Sequence, residues 1–157
     1  MATALAQRLQ DRLPLGVEVA DGIDMPVVTL PPVALLAVVG TLKGALGFDM
    51  LLDVTAVDWP GAPQRFEVIW HFYSTTQFSR VRLKTRVPEQ DPTVDSLVPL
   101  YGAAAFMERE CHDMYGIGFR GNNDLRPILL YEGFVGHPLR KDYPKDREQP
   151  LVPYRTY

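Results

Sequence analysis

Residues 116–121 read GIGFRG and match the pattern G-x-G-x-x-G, which in dinucleotide-binding proteins connects a β-strand to a helix. The glycines of such a loop let the backbone approach a pyrophosphate at the helix N-terminus. In this chain the motif follows a predicted helix, and Pro127 argues against a helix that starts after it. Because neither requirement is met, we expect Gly116 to end the preceding helix in a left-handed conformation.

One cysteine and three histidines are the other side chains that could bind a metal or act as a nucleophile. Cys111 and His112 are neighbours and point about 100° apart on a helix, which makes them poor joint ligands. With His71 and His137 they lack the spacing of a metal site. A nucleophilic pair of Cys111 and His137 is an alternative, but the apolar helix face around Cys111 favours a buried thiol. The sequence therefore predicts no metal or cofactor bound by this chain.

The predicted helix over 102–115 carries a charged face beside its apolar one. Arg109 and Asp113 are four residues apart, so we expect them to pair on the outer face. The same spacing predicts that Glu108 pairs with His112. A face of this kind is typical of a solvated helix surface or of a surface that meets another protein.

Glu110 of this helix falls between Phe106 and Met114, at the edge of the apolar arc. A carboxylate at an apolar border needs a hydrogen-bond donor. The sequence offers Arg140 or Lys141 of the C-terminal segment for this purpose, and another chain is the alternative.

A second charged pattern lies on a predicted strand, where four basic side chains alternate along one face: Arg80, Arg82, Lys84 and Arg86. Glu67, His71 and Tyr73 are expected on the same face of the neighbouring strand. This face is either the water-exposed side of a two-layer domain or a docking surface for an acidic or nucleic-acid partner. The net charge of −3 argues against nucleic acid.

The periodicity of the apolar residues predicts an α+β fold in the order helix, two strands, helix, three strands. We expect both helices on one face of a single mixed sheet, followed by a helix and an extended C-terminal tail. The predicted helices cover 2–12, 33–46 and 102–115, and the predicted strands cover 17–20, 27–30, 50–57, 65–73 and 80–87. We therefore divide the chain into an α+β scaffold domain, 1–88, and a helix with a partner-docking segment, 89–157.

The C-terminal stretch 137–157 has four prolines and eight charged side chains among its 21 residues. Such a composition buries too little apolar surface to fold on itself. We expect it to be disordered alone or extended along another protein.

The sequence also bears on the cellular compartment. A single cysteine fits a reducing environment, and the charged N-terminus lacks the apolar run of a secretion signal. The charge-free stretch 25–42 is interrupted by prolines, which favours a buried core helix over a membrane span.

Taken together, the blocks EREC-x-DMYGI-x-F, DL, IL and GHPLRKDYP from Glu108 onward resemble the signature of a known family. It is the thirty-kilodalton subunit family of proton-pumping NADH:quinone oxidoreductase, respiratory complex I. LLDVTAVDW, RFEVIWHF and RVRLKTRVP upstream are similar to the same family. One departure is that the family usually has G-H-P-D-L-R-R where residues 121–127 read GNNDLRP.

The resemblance implies a peripheral scaffold subunit without catalytic residues, on the cytoplasmic side of the bacterial inner membrane. NADH, FMN, iron–sulfur clusters and quinone would be bound by other subunits. The implied partners are the large quinone-site subunit and the small cluster-bearing subunit. The residues assigned to partner contact or to pinning the tail are Glu108, Arg109, Glu110, Asp113, Gly136, His137, Arg140, Lys141 and Asp142.

Two other functions stay open at this point. Membrane-bound hydrogenases and related dehydrogenases use a homologous scaffold subunit. A nucleic-acid-binding module would instead use the strand face of Arg80 to Arg86.

Overall fold

The computed structural model describes residues 4–14, 16–147 and 149. Its helices are α1 (Ala4–Arg12), a 3₁₀ turn (Pro32–Ala34) that leads into α2 (Leu35–Gly44), and α3 (Ala104–Tyr115). Its strands are β1 (Glu18–Ala20), β2 (Val27–Thr29), β3 (Met50–Asp58), β4 (Phe66–Ser74), β5 (Ser79–Val87), β6 (Thr93–Asp95) and β7 (Gly118–Arg120).

Five strands form one mixed sheet in the order β1-β2-β5-β4-β3. Only β2 and β5 are parallel in this sheet; the other neighbours are antiparallel. One face of the long strands is mainly apolar and buried, as the alternation predicted; Thr85 and Ser74 are the buried polar residues of β5 and β4 on it. Its members on β4 and β5 include Phe66, Val68, Trp70, Phe72, Val81 and Leu83. The predicted α+β fold with a mixed sheet is confirmed.

Helices α1 and α2 supply the other half of the core. The 3₁₀ turn begins at Pro32, whose fixed φ and missing N–H suit a first helical position. The core residues from the two helices are Leu9, Leu35, Val38, Val39 and Leu42, each with no exposed surface. The charge-free stretch 25–42 thus forms β2 and most of α2, inside the core. No helix in the described ranges is long and apolar enough to cross a bilayer.

Helix α3 packs against β3 at the edge of the sheet and ends at Gly116. Gly116 has φ 74° and ψ 24°, and its N–H donates to the His112 carbonyl. The predicted left-handed end of the helix is confirmed, and the dinucleotide-loop alternative is excluded by the same geometry because the loop follows a helix.

The structure adds a small second sheet that the sequence pattern did not predict. Residues 118–120 of GIGFRG form β7, which pairs in parallel with β6 from the stretch before α3, for which no strand was predicted. Val94 lies opposite Phe119 in this pair, and both side chains are buried. Neither strand lies in a longer apolar run of the sequence, so only the tertiary pairing identifies them.

The C-terminal segment also differs from the prediction. The Lys141 N–H donates to an Asp58 carboxylate oxygen at 2.7 Å, and the Leu139 N–H donates to the Met114 carbonyl at 3.1 Å. Residues 137–142 therefore lie against the chain's own domain, because that domain offers acceptors for their backbone. Of the remaining residues of the predicted tail, 148 and 150–157 lie outside the described residues. The division of the chain at residue 88 stays a prediction.

Candidate docking surface

Asp113 holds a loop against α3 through one carboxylate oxygen. Its Oδ2 accepts the backbone N–H groups of Ile128, Leu129 and Leu130 at 2.7, 3.0 and 3.3 Å. Asp113 is only 4% exposed. Burial alone would raise the pKa of this carboxyl, but the three N–H donors together keep the pKa below its ordinary value. The side chain is therefore an ionised anchor for the loop.

Arg109 binds the same loop from the other side. Its guanidinium donates to the carbonyls of Arg126 and Pro127, both at 2.9 Å, and lies 3.9 Å from Asp124. The predicted pair of Arg109 with Asp113 is wrong. Both side chains bind the folded-back loop, whose backbone donors and acceptors need partners.

Glu108 is fully buried and does not lie on the outer face. Its carboxylate accepts hydrogen bonds from the Ser96 hydroxyl and the Leu97 N–H, both at 2.7 Å, and from the Asn122 amide at 2.9 Å. Burial raises the pKa of Glu108, against the effect of these three donors. The predicted pair of Glu108 with His112 is wrong, because the segment after β6 covers this side of α3. Glu108 is thus a structural residue and does not offer a contact to a partner.

Two side chains of the C-terminal segment fasten it to the end of α3. The His137 Nδ1 lies 2.9 Å from the Asp113 carbonyl oxygen, and the Arg140 Nε donates to the Tyr115 carbonyl at 2.6 Å. The helix carbonyls in the last turn have no helical partner, so the tail satisfies them. The sequence assignment of His137 and Arg140 to pinning the tail agrees with these positions.

Gly116 makes this attachment possible. A Cβ at this position would lie 2.5 Å from the His137 Nε2 and 2.6 Å from an Arg140 guanidinium nitrogen. Two features therefore require a glycine at position 116: the left-handed backbone conformation and the close approach of the tail.

A buried ion cluster around Arg65 fastens the next residues of the tail. Arg65 donates to both oxygens of Asp58 at 2.7 and 2.8 Å, to Glu89 at 2.6 Å and to Asp142 at 2.9 Å. The Arg65 side chain is 8% exposed and that of Asp58 is fully buried. The hydrogen bond from Arg65 lowers the pKa of Asp58 despite burial. Asp142 was predicted as a site residue, whereas Arg65 and Asp58 were missed.

Other predicted site residues lie at the surface. Glu110 is exposed and has no hydrogen bond or ion pair within the described part of the chain. The Lys141 side chain is exposed too. Neither Lys141 nor Arg140 forms an ion pair with Glu110 in the described part of the chain. Gly136 has φ 100°, and a Cβ there would lie 2.9 Å from the Tyr143 ring. Gly136 therefore permits a tight turn of the tail, and its contact with a partner stays a prediction.

Large apolar side chains are exposed on α3 and on the two segments fastened to it. Phe106, one turn before Glu110 on α3, is 62% exposed. Leu129, on the loop that Asp113 holds, is 62% exposed, and Leu139, hydrogen-bonded through its N–H to Met114, is 48% exposed. We call Phe106, Glu110, Leu129 and Leu139 the α3–tail surface. Exposed apolar residues together with an unpaired carboxylate are typical of a protein–protein contact.

The alternative nucleophilic pair of Cys111 and His137 is not activated in the described structure. Among the described residues, no group of three or more His, Cys, Asp or Glu side chains could hold a metal ion. Cys111 is 2% exposed, and burial raises the pKa of its thiol. His137, the base of the alternative nucleophilic pair, is engaged by the Asp113 carbonyl. This arrangement orders the tail and presents no activated thiolate.

The basic strand face is partly neutralised within the chain. Lys84 and Arg86 share Glu67, each at 3.6 Å, and Arg82 lies 3.6 Å from Asp24, whereas Arg80 has no carboxylate partner among the described residues. Three of the four cations therefore already have a carboxylate nearby, which weakens this face as a site for a phosphate backbone. The open face therefore fits the water-exposed side of a two-layer domain better than a nucleic-acid site.

Comparison with known proteins agrees with the resemblance seen in the sequence. The family described as "Respiratory-chain NADH dehydrogenase, 30 Kd subunit" matches residues 28–149. An NADH-quinone oxidoreductase subunit of Moorella thermoacetica is 42% identical over 137 residues, which cover 87% of this chain and 91% of that protein. The subunit of the same name from Rhodobacter capsulatus is 46% identical over 119 residues, covering 74% of this chain and 59% of that protein.

Two solved structures share the fold. The trypsin-resistant fragment of Nqo5 has a TM-score of 0.67 and 29% identity, covering 77% of this chain and 96% of that one. A chain of an archaeal membrane-bound sulfane sulfur reductase has a TM-score of 0.67 and 22% identity, covering 80% and 74%. With its signature, its sheet topology and its sequence relatives in agreement, the chain belongs to the family of the 30 Kd subunit of respiratory-chain NADH dehydrogenase.

Proposed function

We propose that this chain is a non-catalytic, peripheral scaffold subunit of a proton-translocating NADH:quinone oxidoreductase. Its α3–tail surface docks on the large quinone-site subunit and the small cluster-bearing subunit. Electrons pass from NADH to quinone through FMN and iron–sulfur clusters held by those and other subunits. The chain works on the cytoplasmic side of a bacterial inner membrane, which it reaches only through the complex.

The observation that carries the proposal is the α3–tail surface itself. Its apolar side chains are large and exposed, yet Asp113 and the tail hydrogen bonds hold the underlying backbone in place. An ordered surface loses little conformational entropy when a partner binds, which favours affinity. Glu110 of this surface would meet a cation of the partner. Such a desolvated charge pair adds orientation and specificity.

The tail contacts have a second role in this proposal. His137, Arg140 and Asp142 fasten the tail to α3 and to the Arg65 cluster. They bind the chain's own backbone or side chains, so they act by placing Leu139 and Lys141 for the partner.

The alternative of a hydrogenase-type scaffold has weaker support. The sequence relatives at 42% and 46% identity are named as subunits of NADH-quinone oxidoreductase. The likeness to the sulfane sulfur reductase chain, at 22% identity, shows the fold alone.

Affinity capture of the tagged chain from gently solubilised membranes tests the proposal, with the partners identified by mass. We expect a flavin-bearing NADH-oxidising module, a quinone-site subunit and a cluster-bearing subunit. Co-purification of a nickel-containing subunit without the NADH module would contradict the assignment. NADH turnover by the purified chain alone, or a stoichiometric metal or flavin in it, would contradict the non-catalytic role.

A further inference from the structure

The hairpin between β4 and β5 carries two unfavourable features at one residue. Phe78 has φ 51°, a left-handed backbone that a bulky side chain seldom adopts. Its ring is also 81% exposed to solvent. A glycine or asparagine would suit this turn position better and would expose no aromatic ring. Strained, exposed aromatic residues of this kind are found at binding surfaces, where a partner compensates for them.

A groove of about 450 Å³ lies beside Phe78. Its wall is mainly apolar and comes from α1, the β1–β2 loop and the hairpin, with Leu5, Met25, Pro26 and Tyr73 facing Phe78. Ile23 on the β1–β2 loop is fully exposed. Two loops at the same end of the sheet thus present large apolar side chains around one concave surface.

One acidic and one basic side chain line this groove, Asp24 and Arg80, and of the two only Asp24 has an ion-pair partner among the described residues. Arg80 lines the groove and stacks on Tyr73, with its guanidinium carbon 5.9 Å from the ring centroid. Arg82, its neighbour on the same face, has Asp24 as an acidic partner, whereas Arg80 has no carboxylate partner among the described residues. A carboxylate of a bound segment could reach Arg80 while an apolar side chain fills the groove.

We propose that this groove is a second docking site, which receives an acidic segment of another protein. The segment carries an aliphatic or aromatic anchor for the groove and an Asp or Glu for Arg80. The site is distinct from the α3–tail surface. The tail is fastened near Asp58 and Arg65, beside the C-terminal end of β5. Phe78, by contrast, lies just before the first residue of β5. Nine strand residues separate the two ends by about 30 Å.

Photo-crosslinking in the assembled complex identifies the occupant. A benzophenone amino acid placed at position 78 is activated, and the linked peptide is sequenced by mass spectrometry. We expect one peptide of a different subunit, with an Asp or Glu within a few residues of an apolar side chain. The control is the same probe at position 33, where Val33 is 89% exposed but lies outside the groove. A link to a second copy of this chain, to lipid or to a peptide without an acidic residue would overturn the proposal, as would yields equal to the control.

Two variants separate binding from folding. Phe78→Gly relieves the left-handed strain, so the Tm of the isolated chain should stay level or rise. We expect its affinity for the complex, and that of Arg80→Glu, to fall about tenfold, with Val33→Ala unchanged. Unchanged affinity in both variants would refute the second site. Neither result depends on the α3–tail surface, which Leu139→Glu probes separately.

Discussion

At the scale of single residues, the buried carboxylates of this chain differ in what they bind. Glu108 binds the segment after β6 and holds the small second sheet beside α3. Asp113 and Asp58 bind the loop and tail that form the α3–tail surface. The polar interior therefore positions an outer surface, and its loss should affect both stability and assembly.

Arg65→Ala should lower the free energy of unfolding by about 3–5 kcal/mol, because it leaves the buried Asp58 carboxylate without its cation. Chemical denaturation of the isolated chain measures this free energy of unfolding. Arg120→Ala is the matched control, since it removes a 70% exposed partner of Asp95 at 3.6 Å and should cost less than about 1 kcal/mol. Equal losses in the two variants would show that the Arg65 cluster does not stabilise the fold.

Asp113→Asn keeps an acceptor oxygen but removes the charge, so it isolates the titration of this group. The folded-state pKa of Asp113 lies below its ordinary value. Its charge therefore contributes stability above about pH 4 that is lost as the pH falls through the folded pKa. We expect the variant to be less stable than the wild type at pH 6 by about 1 kcal/mol, with the difference shrinking towards pH 2. Urea denaturation at several pH values measures the gap, and a constant gap would contradict this account.

At the scale of secondary-structure elements, the sequence predicted the three helices and the five strands of the main sheet, and missed the two strands of the small sheet. Strands β4 and β5 were predictable because Phe66 to Phe72 and Val81 to Val87 alternate over nine-residue strands. Strands β6 and β7 were not, since neither lies in a longer apolar run and their pairing joins positions far apart in sequence.

The site was predicted only in part for a related reason. Glu108 lies beside the apolar arc of α3, one turn from Ala104 and Cys111, but its i,i+4 spacing to His112 led to the prediction of a pair on the outer face. Ser96 and Leu97 bring a second layer over that side, and this layer is a tertiary feature. Arg65 was missed because its partners, Glu89 and Asp142, meet it only once the tail has docked. Gly116, by contrast, was predictable from the local rule for helix ends.

Gly116→Ala tests how the end of α3 holds the tail. A left-handed alanine costs about 1–2 kcal/mol, and its Cβ would displace His137 and Arg140 as well. We expect lower stability and faster tryptic cleavage after Arg140 and Lys141. Gly40→Ala is the matched control. It lies inside α2 with open space around its Cβ, so it should gain up to about 1 kcal/mol. A neutral Gly116→Ala would mean that the tail does not dock on α3.

At the scale of the whole molecule, a single sheet separates two surfaces that differ in character. The tail and α3 present exposed apolar side chains and one carboxylate, Glu110, that is unpaired within the described residues. The β4–β5 hairpin, at the start of β5, forms an apolar groove with an unpaired arginine. A rigid body with contacts at both ends holds two neighbours at a fixed separation, which is the geometric requirement of a scaffold.

The most direct test is the affinity of the chain for the complex purified without it. We predict that Glu110→Arg and Leu139→Glu, both on exposed side chains, leave the fold of the isolated chain intact and weaken this affinity by about tenfold or more. Val33→Glu, at a position that is 89% exposed and outside the α3–tail surface, should bind like the wild type. Wild-type affinity in both variants, with the fold unchanged, would contradict the claim that the α3–tail surface docks this chain.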